Sequence, residues 1–286
     1  MARDIELFAL LAESIDRFVP ETVQHRVIVP AADMATFARF GTARRQIVPQ
    51  ENVLPFKVRK LPRALGLLSP FVKTLRRPLY LAPGFNLVRG WVLQQILKIE
   101  ATRTSEADVV LHIDSDVFFV RPFETAMVLP GGMPTFFRVP AQTLSSEHES
   151  WTAVADRILG IAPAVTRQGH YVENCIPWAP SVVRRMTDRI AQVHGRAWHE
   201  VLMRESSFSE YFIYGRLVDG VEDGAQLAAR SATICRTYWS DVATALAQDM
   251  KGLSLPDGQS ALAIQSTEDI SMADRRRMFE RACRDA

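Results

Sequence analysis

Two aspartates follow a short apolar segment near the middle of the chain. Residues 109–117 read Val-Val-Leu-His-Ile-Asp-Ser-Asp-Val, so Asp114 and Asp116 are separated by one residue. Because side chains alternate along a strand, the two carboxylates are expected on one face, about 7 Å apart along the backbone. Carboxylate oxygens are preferred ligands of Mg²⁺ and Mn²⁺. The spacing therefore predicts a divalent-cation site that handles a phosphate ester.

The residues around this pair favour a functional role over an ordinary turn. An Asp-x-Asp triplet at a strand end can simply cap a turn. Here the apolar residues 109–113 indicate an interior strand of a mixed α/β sheet, and such sheets bind ligands at the carboxyl ends of their strands. Two repelling carboxylates between buried segments are costly unless a cation or a hydrogen-bond donor joins them.

A helix is predicted immediately before the aspartate strand, over residues 87–101, from its apolar stripe. Its polar residues Gln94, Gln95 and Lys98 stand beside that stripe. Because the helix leads directly into the strand, Lys98 is placed to bind a phosphate, and Gln94 or Gln95 to bind a ribose or base. The alternative for all three is an ordinary solvated helix surface.

A second polar cluster lies at residues 207–215, Ser-Phe-Ser-Glu-Tyr-Phe-Ile-Tyr-Gly. Ser207 or Ser209 is expected to cap a helix and to place Glu210 in its first turn, where the helix dipole favours a carboxylate. Glu210 is then either a stabilising first-turn residue or an acceptor for a base or a sugar hydroxyl. Tyr211 and Tyr214 lie close enough in sequence to stack on a ligand.

Composition limits the class of protein. The 286 residues are 48% hydrophobic and 23% charged, which suits one large globular domain over residues 1–286 with a sizeable core. No apolar stretch approaches the length of a membrane span, and the N-terminal residues lack the apolar core of a signal peptide. The three scattered cysteines indicate neither a disulfide framework nor a zinc site. The expected location is the cytoplasm.

The charge distribution is uneven although the net charge is only +2. No acidic residue lies between Glu51 and Glu100, whereas that stretch contains nine lysines and arginines. We expect residues 49–86 to form a basic loop or insertion. The basic segment 57–89 predicts an anion-facing surface, for a ligand diphosphate or for peripheral contact with the inner face of an anionic membrane. A solvated loop is the alternative, and no nucleic-acid motif accompanies these charges.

The order of predicted elements indicates an α/β fold. A helix over residues 4–18, a strand at 26–29, a short helix at 33–40 and a strand at 46–48 alternate along the chain. Such alternation favours a mixed, mostly parallel, Rossmann-like sheet flanked by helices. Later segments predict helices at 151–159 and 181–193, strands at 135–139, 171–176, 232–235 and 261–265, and a closing helix at 271–286.

These motifs together resemble the GT-A-fold glycosyltransferases. An apolar strand ending in Asp114-Ser115-Asp116 is similar to their metal-binding triplet, and Arg121-Pro122 follows it. The helix carrying Trp91, Gln94, Gln95 and Lys98, and the Ser-Glu-Tyr-x-x-Tyr-Gly stretch at 209–215, resemble a little-characterised bacterial branch of that superfamily.

The resemblance implies a metal-dependent transferase of polysaccharide biosynthesis. It implies a UDP- or GDP-sugar donor held through Mn²⁺ or Mg²⁺, and a glycan or lipid-linked acceptor. Asp116 would bind the metal, and Asp114 would bind metal or ribose. No histidine follows His199, so diphosphate, water or a carboxylate such as Asp241 would complete the coordination.

The acceptor side needs a general base if the anomeric centre inverts. Glu210 is the candidate, with Glu173 and Asp219 in reserve. Trp178 and Tyr211 are the candidates for acceptor binding, since an aromatic ring offers an apolar platform to a sugar; core packing is the alternative for Trp178.

Two other classes of function stay open. An aspartyl-phosphate-type phosphohydrolase also places Asp-x-Asp after an apolar strand, with Asp114 as nucleophile. That class needs a later lysine and a second acidic cluster; Asp219 and Asp223 imitate the cluster, but no lysine lies between Asp116 and Asp219. The remaining possibility is a non-catalytic domain that binds a nucleotide sugar or a glycan.

Overall fold

The computed structural model describes residues 2–61, 79–140, 144–162, 169–222, 226–239, 242–247 and 255–284, and the architecture is mixed α/β. The helices are α1 (Ala2–Phe18), α2 (Met34–Phe37), α3 (Gln50–Val53), α4 (Gly90–Arg103), α5 (Ser146–Leu159), α6 (Pro180–His194), α7 (Trp198–Met203), α8 (Glu210–Gly220), α9 (Val242–Ala247) and α10 (Met272–Arg284). The strands are β1 (His25–Val29), β2 (Arg45–Pro49), β3 (Arg59–Lys60), β4 (Leu79–Ala82), β5 (Asn86–Arg89), β6 (Val110–Ile113), β7 (Val117–Phe119), β8 (Thr135–Phe137), β9 (Val139–Pro140), β10 (Gly169–His170), β11 (Cys175–Trp178), β12 (Ala228–Arg230), β13 (Cys235–Tyr238) and β14 (Ala261–Ile264).

The strand pairings are more mixed than the sequence suggests. Parallel pairs are β1–β2, β8–β12 and β13–β14. The aspartate strand β6 pairs antiparallel with β11, and β7 pairs antiparallel with β14. An α/β class is therefore confirmed, whereas the expectation of a mostly parallel sheet holds only for part of the strands.

Three apolar clusters form the core. The largest joins α4, α5, α6 and α8 with β11, and includes Ile96, Ile158 and Phe212. A second packs α1 against β1 and β7, and a third packs α10 against β7 and β14. The strand β7, which follows the aspartates, is fully buried because helices from both ends of the chain cover it.

Most predicted helices are confirmed, including α1, α6 and the closing helix α10. The helix predicted over residues 87–101 begins only at Gly90, because Leu87 and Val88 lie in β5 and pair with Leu81 and Tyr80. The segment 49–86, expected to be a basic loop or insertion, contains α3, β3 and β4 in its described part and ends at the first residue of β5, whereas residues 62–78 lie outside the described ones.

Candidate functional site

The two aspartates lie in a tight turn between β6 and β7. The Val117 N–H donates to the Asp114 carbonyl oxygen at 3.3 Å, which closes the turn over Ser115. The expectation that both carboxylates continue one strand face is therefore wrong, since β6 ends at Ile113. The turn leaves Asp114 with 44% of its side chain exposed and buries Asp116, which is 8% exposed.

Only one of the two Asp116 carboxylate oxygens is satisfied. Oδ2 accepts a hydrogen bond from the Ser266 N–H at 2.8 Å, whereas Oδ1 is buried and has no hydrogen-bond partner among the described residues. Burial, and secondly the charge of Asp114, raise the pKa of Asp116, while Ser266 and Arg275 oppose that rise. A buried carboxylate oxygen without a partner is costly, so this oxygen favours a proton or a cation.

The last strand and helix hold the Ser266 amide in place. Arg275 of α10 is 1% exposed and donates to the carbonyl oxygens of Ile264 at 2.6 Å and Gln265 at 2.9 Å. The Ile264 N–H donates in turn to the Asp116 carbonyl oxygen at 3.1 Å. Ser266 and Arg275 were not predicted from the sequence, because Arg275 begins a run of three arginines and nothing in that run marks one as buried.

Lys98 of α4 connects the aspartate turn to α8. Its Nζ donates to the Tyr211 hydroxyl at 2.6 Å and lies 3.4 Å from both Asp114 Oδ1 and Glu210 Oε1. Burial alone would lower the pKa of Lys98, but attraction to Asp114 and Glu210 outweighs burial and raises it well above its ordinary value. Lys98 therefore favours its protonated form beside Asp114, and Lys98, Asp114, Glu210 and Tyr211, all singled out from the sequence, share one site.

Glu210 begins α8 as predicted, but its surroundings differ from the expectation. The Glu210 N–H donates to the Gln95 side-chain oxygen at 2.9 Å, and Ser209 makes no capping hydrogen bond through its side chain. Glu210 is 4% exposed, and burial raises its pKa while Lys98 opposes that rise. Gln95 thus caps a helix instead of lining an open nucleotide site.

The predicted acceptor platform is not accessible. Trp178 is fully buried, stacks on Tyr214 with an interplanar angle of 9°, and meets Tyr211 edge-on. The structure therefore shows core packing, the alternative considered for Trp178 from the sequence. Tyr211 is half-buried with its hydroxyl bound to Lys98, and Gln94 is exposed on α4.

The two reserve carboxylates belong to other ion pairs. Glu173 accepts hydrogen bonds from Arg230 at 2.5 Å and from the Ile234 N–H, and burial raises its pKa to about 7. Asp219 accepts from Arg138 at 3.0 Å and from the Tyr171 hydroxyl at 2.7 Å. None of these hydrogen bonds involves a residue of the aspartate turn.

In the part of the chain that the structure describes, the two carboxylates of the turn are the candidate ligands for a metal ion. Within the described ranges, no three or more His, Cys, Asp or Glu side chains cluster as metal ligands would. Asp241 and Asp223, also considered from the sequence, lie outside those ranges. Among the described residues, Asp114 and Asp116 are thus the carboxylates that the turn offers to a cation, and diphosphate, water or a carboxylate such as Asp241 would complete a coordination shell.

Fold and site together define a mixed α/β protein with a carboxylate turn next to a partly buried lysine. The chain belongs to DUF6492, a family of unknown function whose model matches residues 1–280. A comparison with curated proteins gave no match. Among the helices in the described part of the chain, none combines the length and apolar character needed to cross a membrane.

Proposed function

We propose that this protein is a metal-dependent glycosyltransferase of GT-A-like fold. It would transfer a sugar from a nucleotide-diphosphate sugar, with UDP- and GDP-sugars as the first candidates, to a glycan or lipid-linked acceptor. The observation that carries the proposal is the Asp114-Ser115-Asp116 turn, in which the buried Asp116 Oδ1, without a hydrogen-bond partner among the described residues, lies near the half-exposed Asp114.

The residues of the turn fit a divalent cation. Asp116 and Asp114 would hold Mn²⁺ or Mg²⁺ through oxygen atoms, and diphosphate and water would complete its shell. When bound, the ion neutralises charge on the departing nucleoside diphosphate. Ser266 keeps one Asp116 oxygen fixed through its amide, which leaves the other as the metal-facing atom.

Lys98 is suited to the phosphate side of the site. Its ammonium group is held by Asp114, Glu210 and Tyr211, and 19% of its side chain is exposed. A fixed cation at this position stabilises negative charge without reorganisation, which is how charged groups assist phosphate-bound leaving groups. Glu210 is buried and lies 3.4 Å from Lys98. It is therefore better placed to hold Lys98 in position than to act as the general base expected from the sequence.

The test is a thermal-shift panel of UDP-, GDP-, CMP- and dTDP-sugars, each with and without Mn²⁺. A ligand present at a hundredfold excess over its Kd stabilises the folded state by about 2.7 kcal/mol. We expect a shift for one nucleotide class that needs Mn²⁺ and that Asp116→Asn abolishes. Asp108→Asn, at an exposed aspartate just before β6, is the matched control and should keep the shift.

Product analysis separates the proposal from the remaining classes. Nucleoside diphosphate release from the stabilising sugar nucleotide supports a transferase. Metal-dependent binding without release supports a non-catalytic sugar-nucleotide or glycan-binding domain. A full shift in Asp116→Asn, or no shift with any sugar nucleotide, would contradict the site assignment.

One contact favours the phosphohydrolase as a second candidate. That class needs a lysine near the nucleophile, and the fold supplies Lys98 at 3.4 Å from Asp114 although no lysine lies between Asp116 and Asp219 in sequence. Against it, Asp219 of the expected second acidic cluster is bound to Arg138 and Tyr171. Phosphate release from p-nitrophenyl phosphate that disappears in Asp114→Asn would support this candidate over the transferase.

A further inference from the structure

The small sheet β3–β4–β5 has an unusual outer face. Directly paired residues in an antiparallel sheet point to the same side. Lys60, Tyr80 and Val88 form one such row, and Tyr80 and Val88 are buried in the main core. The adjacent row must therefore point away from that core.

That outer row consists of Arg59, Leu81 and Leu87. Leu87 is 60% exposed and Arg59 is exposed, while Leu81 is half-buried. Arg89 and its pair Leu79 lie on the same side of the sheet, but Leu79 is buried and Arg89 Nη2 is not exposed, so the exposed part of this face ends at Leu87. The solvent face of an antiparallel sheet usually carries polar residues, whereas here Leu81 and Leu87 lie beside Arg59.

An exposed tryptophan lies close in sequence to this face. Trp91 stands in the first turn of α4, two residues after β5, and is 38% exposed. Its ring centroid lies 6.3 Å from that of Trp151 and 6.4 Å from that of Phe208, so one side of the indole is supported by protein. An amphipathic indole on a rigid support is suited to the polar–apolar boundary of a lipid layer.

The charged residues that neighbour this face in the sequence are all basic. Lys57, Arg59 and Lys60 are exposed, and no acidic residue occurs between positions 51 and 100. A protein partner would need acidic groups for the exposed basic residues and an apolar pocket for Leu87. An anionic lipid surface offers negative headgroups and an apolar layer together. Long basic side chains can also keep their charge in the headgroup layer while their stems lie on apolar surface.

We propose that this face, made of Arg59, Leu81 and Leu87, docks the protein together with the neighbouring Trp91 on the surface of an anionic lipid bilayer. The occupant is the bilayer itself, with headgroups on Arg59 and the exposed Lys57 and acyl chains against Leu87 and Trp91. Docking of this kind is peripheral and reversible, because only a few apolar side chains enter the interface. The proposal does not depend on sugar transfer and is tested without a nucleotide.

The experiment is co-sedimentation of the full chain with vesicles of phosphatidylglycerol and phosphatidylcholine, compared with phosphatidylcholine alone. We expect binding only to the anionic vesicles, falling as salt is raised because surface charges are screened. Arg59→Glu should weaken binding by more than about fivefold, and Leu87→Asp by about tenfold or more. Trp91 should shift the fluorescence emission to shorter wavelength on binding, and Trp91→Phe should remove most of that shift.

Matched substitutions elsewhere on the surface serve as controls. Arg196→Glu, in the exposed turn after α6, and Met133→Asp, at a residue that is 43% exposed, should leave binding within about twofold of the unsubstituted chain, as scattered surface changes do. Melting temperatures of all variants show whether each is folded. Equal binding to neutral vesicles, unchanged binding of Leu87→Asp, or an equal loss in the two controls would each overturn the proposal.

Discussion

Removing the Lys98 ammonium group with Lys98→Met is expected to destabilise the protein strongly. The Nζ lies 3.4 Å from a Glu210 carboxylate that is 5% exposed, and a pair at that distance attracts by about 5 kcal/mol at an effective dielectric constant of about 20. Asp114 adds less than about 1 kcal/mol, because its half-exposed carboxylate is screened by water. Breaking a buried pair from one side typically costs about 3–5 kcal/mol.

Glu210 can reduce this cost by taking up a proton. In the variant its pKa should rise further, since burial already raises it and Lys98 no longer opposes the rise. A carboxyl whose folded pKa lies above its unfolded value loses stability as pH increases. The destabilisation should therefore be larger at about pH 8 than at about pH 5.

A double-mutant cycle in urea measures the interaction. Lys98→Met and Glu210→Gln should each destabilise, and the double variant should be less destabilised than their sum by about 2–3 kcal/mol. The surface pair Arg276 and Glu13, with side chains 46% and 47% exposed, is the matched control and should couple by less than about 1 kcal/mol. A coupling for Lys98 and Glu210 as small as that of the control would refute the assignment of a buried ion pair.

Three further outcomes follow from single side chains. Glu173→Gln should flatten the pH dependence of unfolding by urea. Its pKa is raised from 4.5 to about 7 in the folded state, which gives about 3 kcal/mol of stability that is fully present below about pH 4.5 and is lost as the pH rises from there to about 7. Unchanged pH dependence would contradict the burial effect. Arg275→Met should lower the guanidinium midpoint by an amount equivalent to roughly 2–4 kcal/mol, because two buried carbonyl groups lose their donor, and a midpoint within error of the unsubstituted chain would argue against this role. Gly215→Ala should lower the melting temperature, because the added Cβ would lie 2.3 Å from the Tyr171 ring. The overpacking cost of about 1–3 kcal/mol outweighs the gain in helix propensity of about 1 kcal/mol. A raised melting temperature would show that the ring moves freely.

The sequence predicts a helix or strand well where the spacing of apolar residues or a proline is enough to determine it. The apolar spacing of residues 182–193 is enough to define α6, and Pro20 is enough to end α1. The start of α4 could not be predicted in this way. Leu87 and Val88 fit the helical stripe, but backbone pairing with Leu81 and Tyr80 draws them into a strand, and such pairing is invisible in a local window.

Which residues form the site could partly be predicted from the sequence, but which residues hold them in position could not. The aspartates, Lys98, Glu210 and Tyr211 were found because charged and aromatic residues next to apolar elements are conspicuous. The cap of α8 comes from Gln95, which lies 115 positions earlier, so no sequence rule for caps could identify it. Trp178 could not be assigned either, since an aromatic residue after a strand has the same local pattern whether it faces a ligand or the core.

The hydrogen bond between Asp116 and the Ser266 amide joins positions 150 residues apart. During translation, the aspartate turn therefore leaves the ribosome long before the segment that fixes it. Until residues 264–275 have emerged, Asp116 has neither its amide donor nor the nearby guanidinium of Arg275. Any affinity of this turn for a cation is thus expected to arise late in synthesis, and a nascent chain that ends before this segment should not show it.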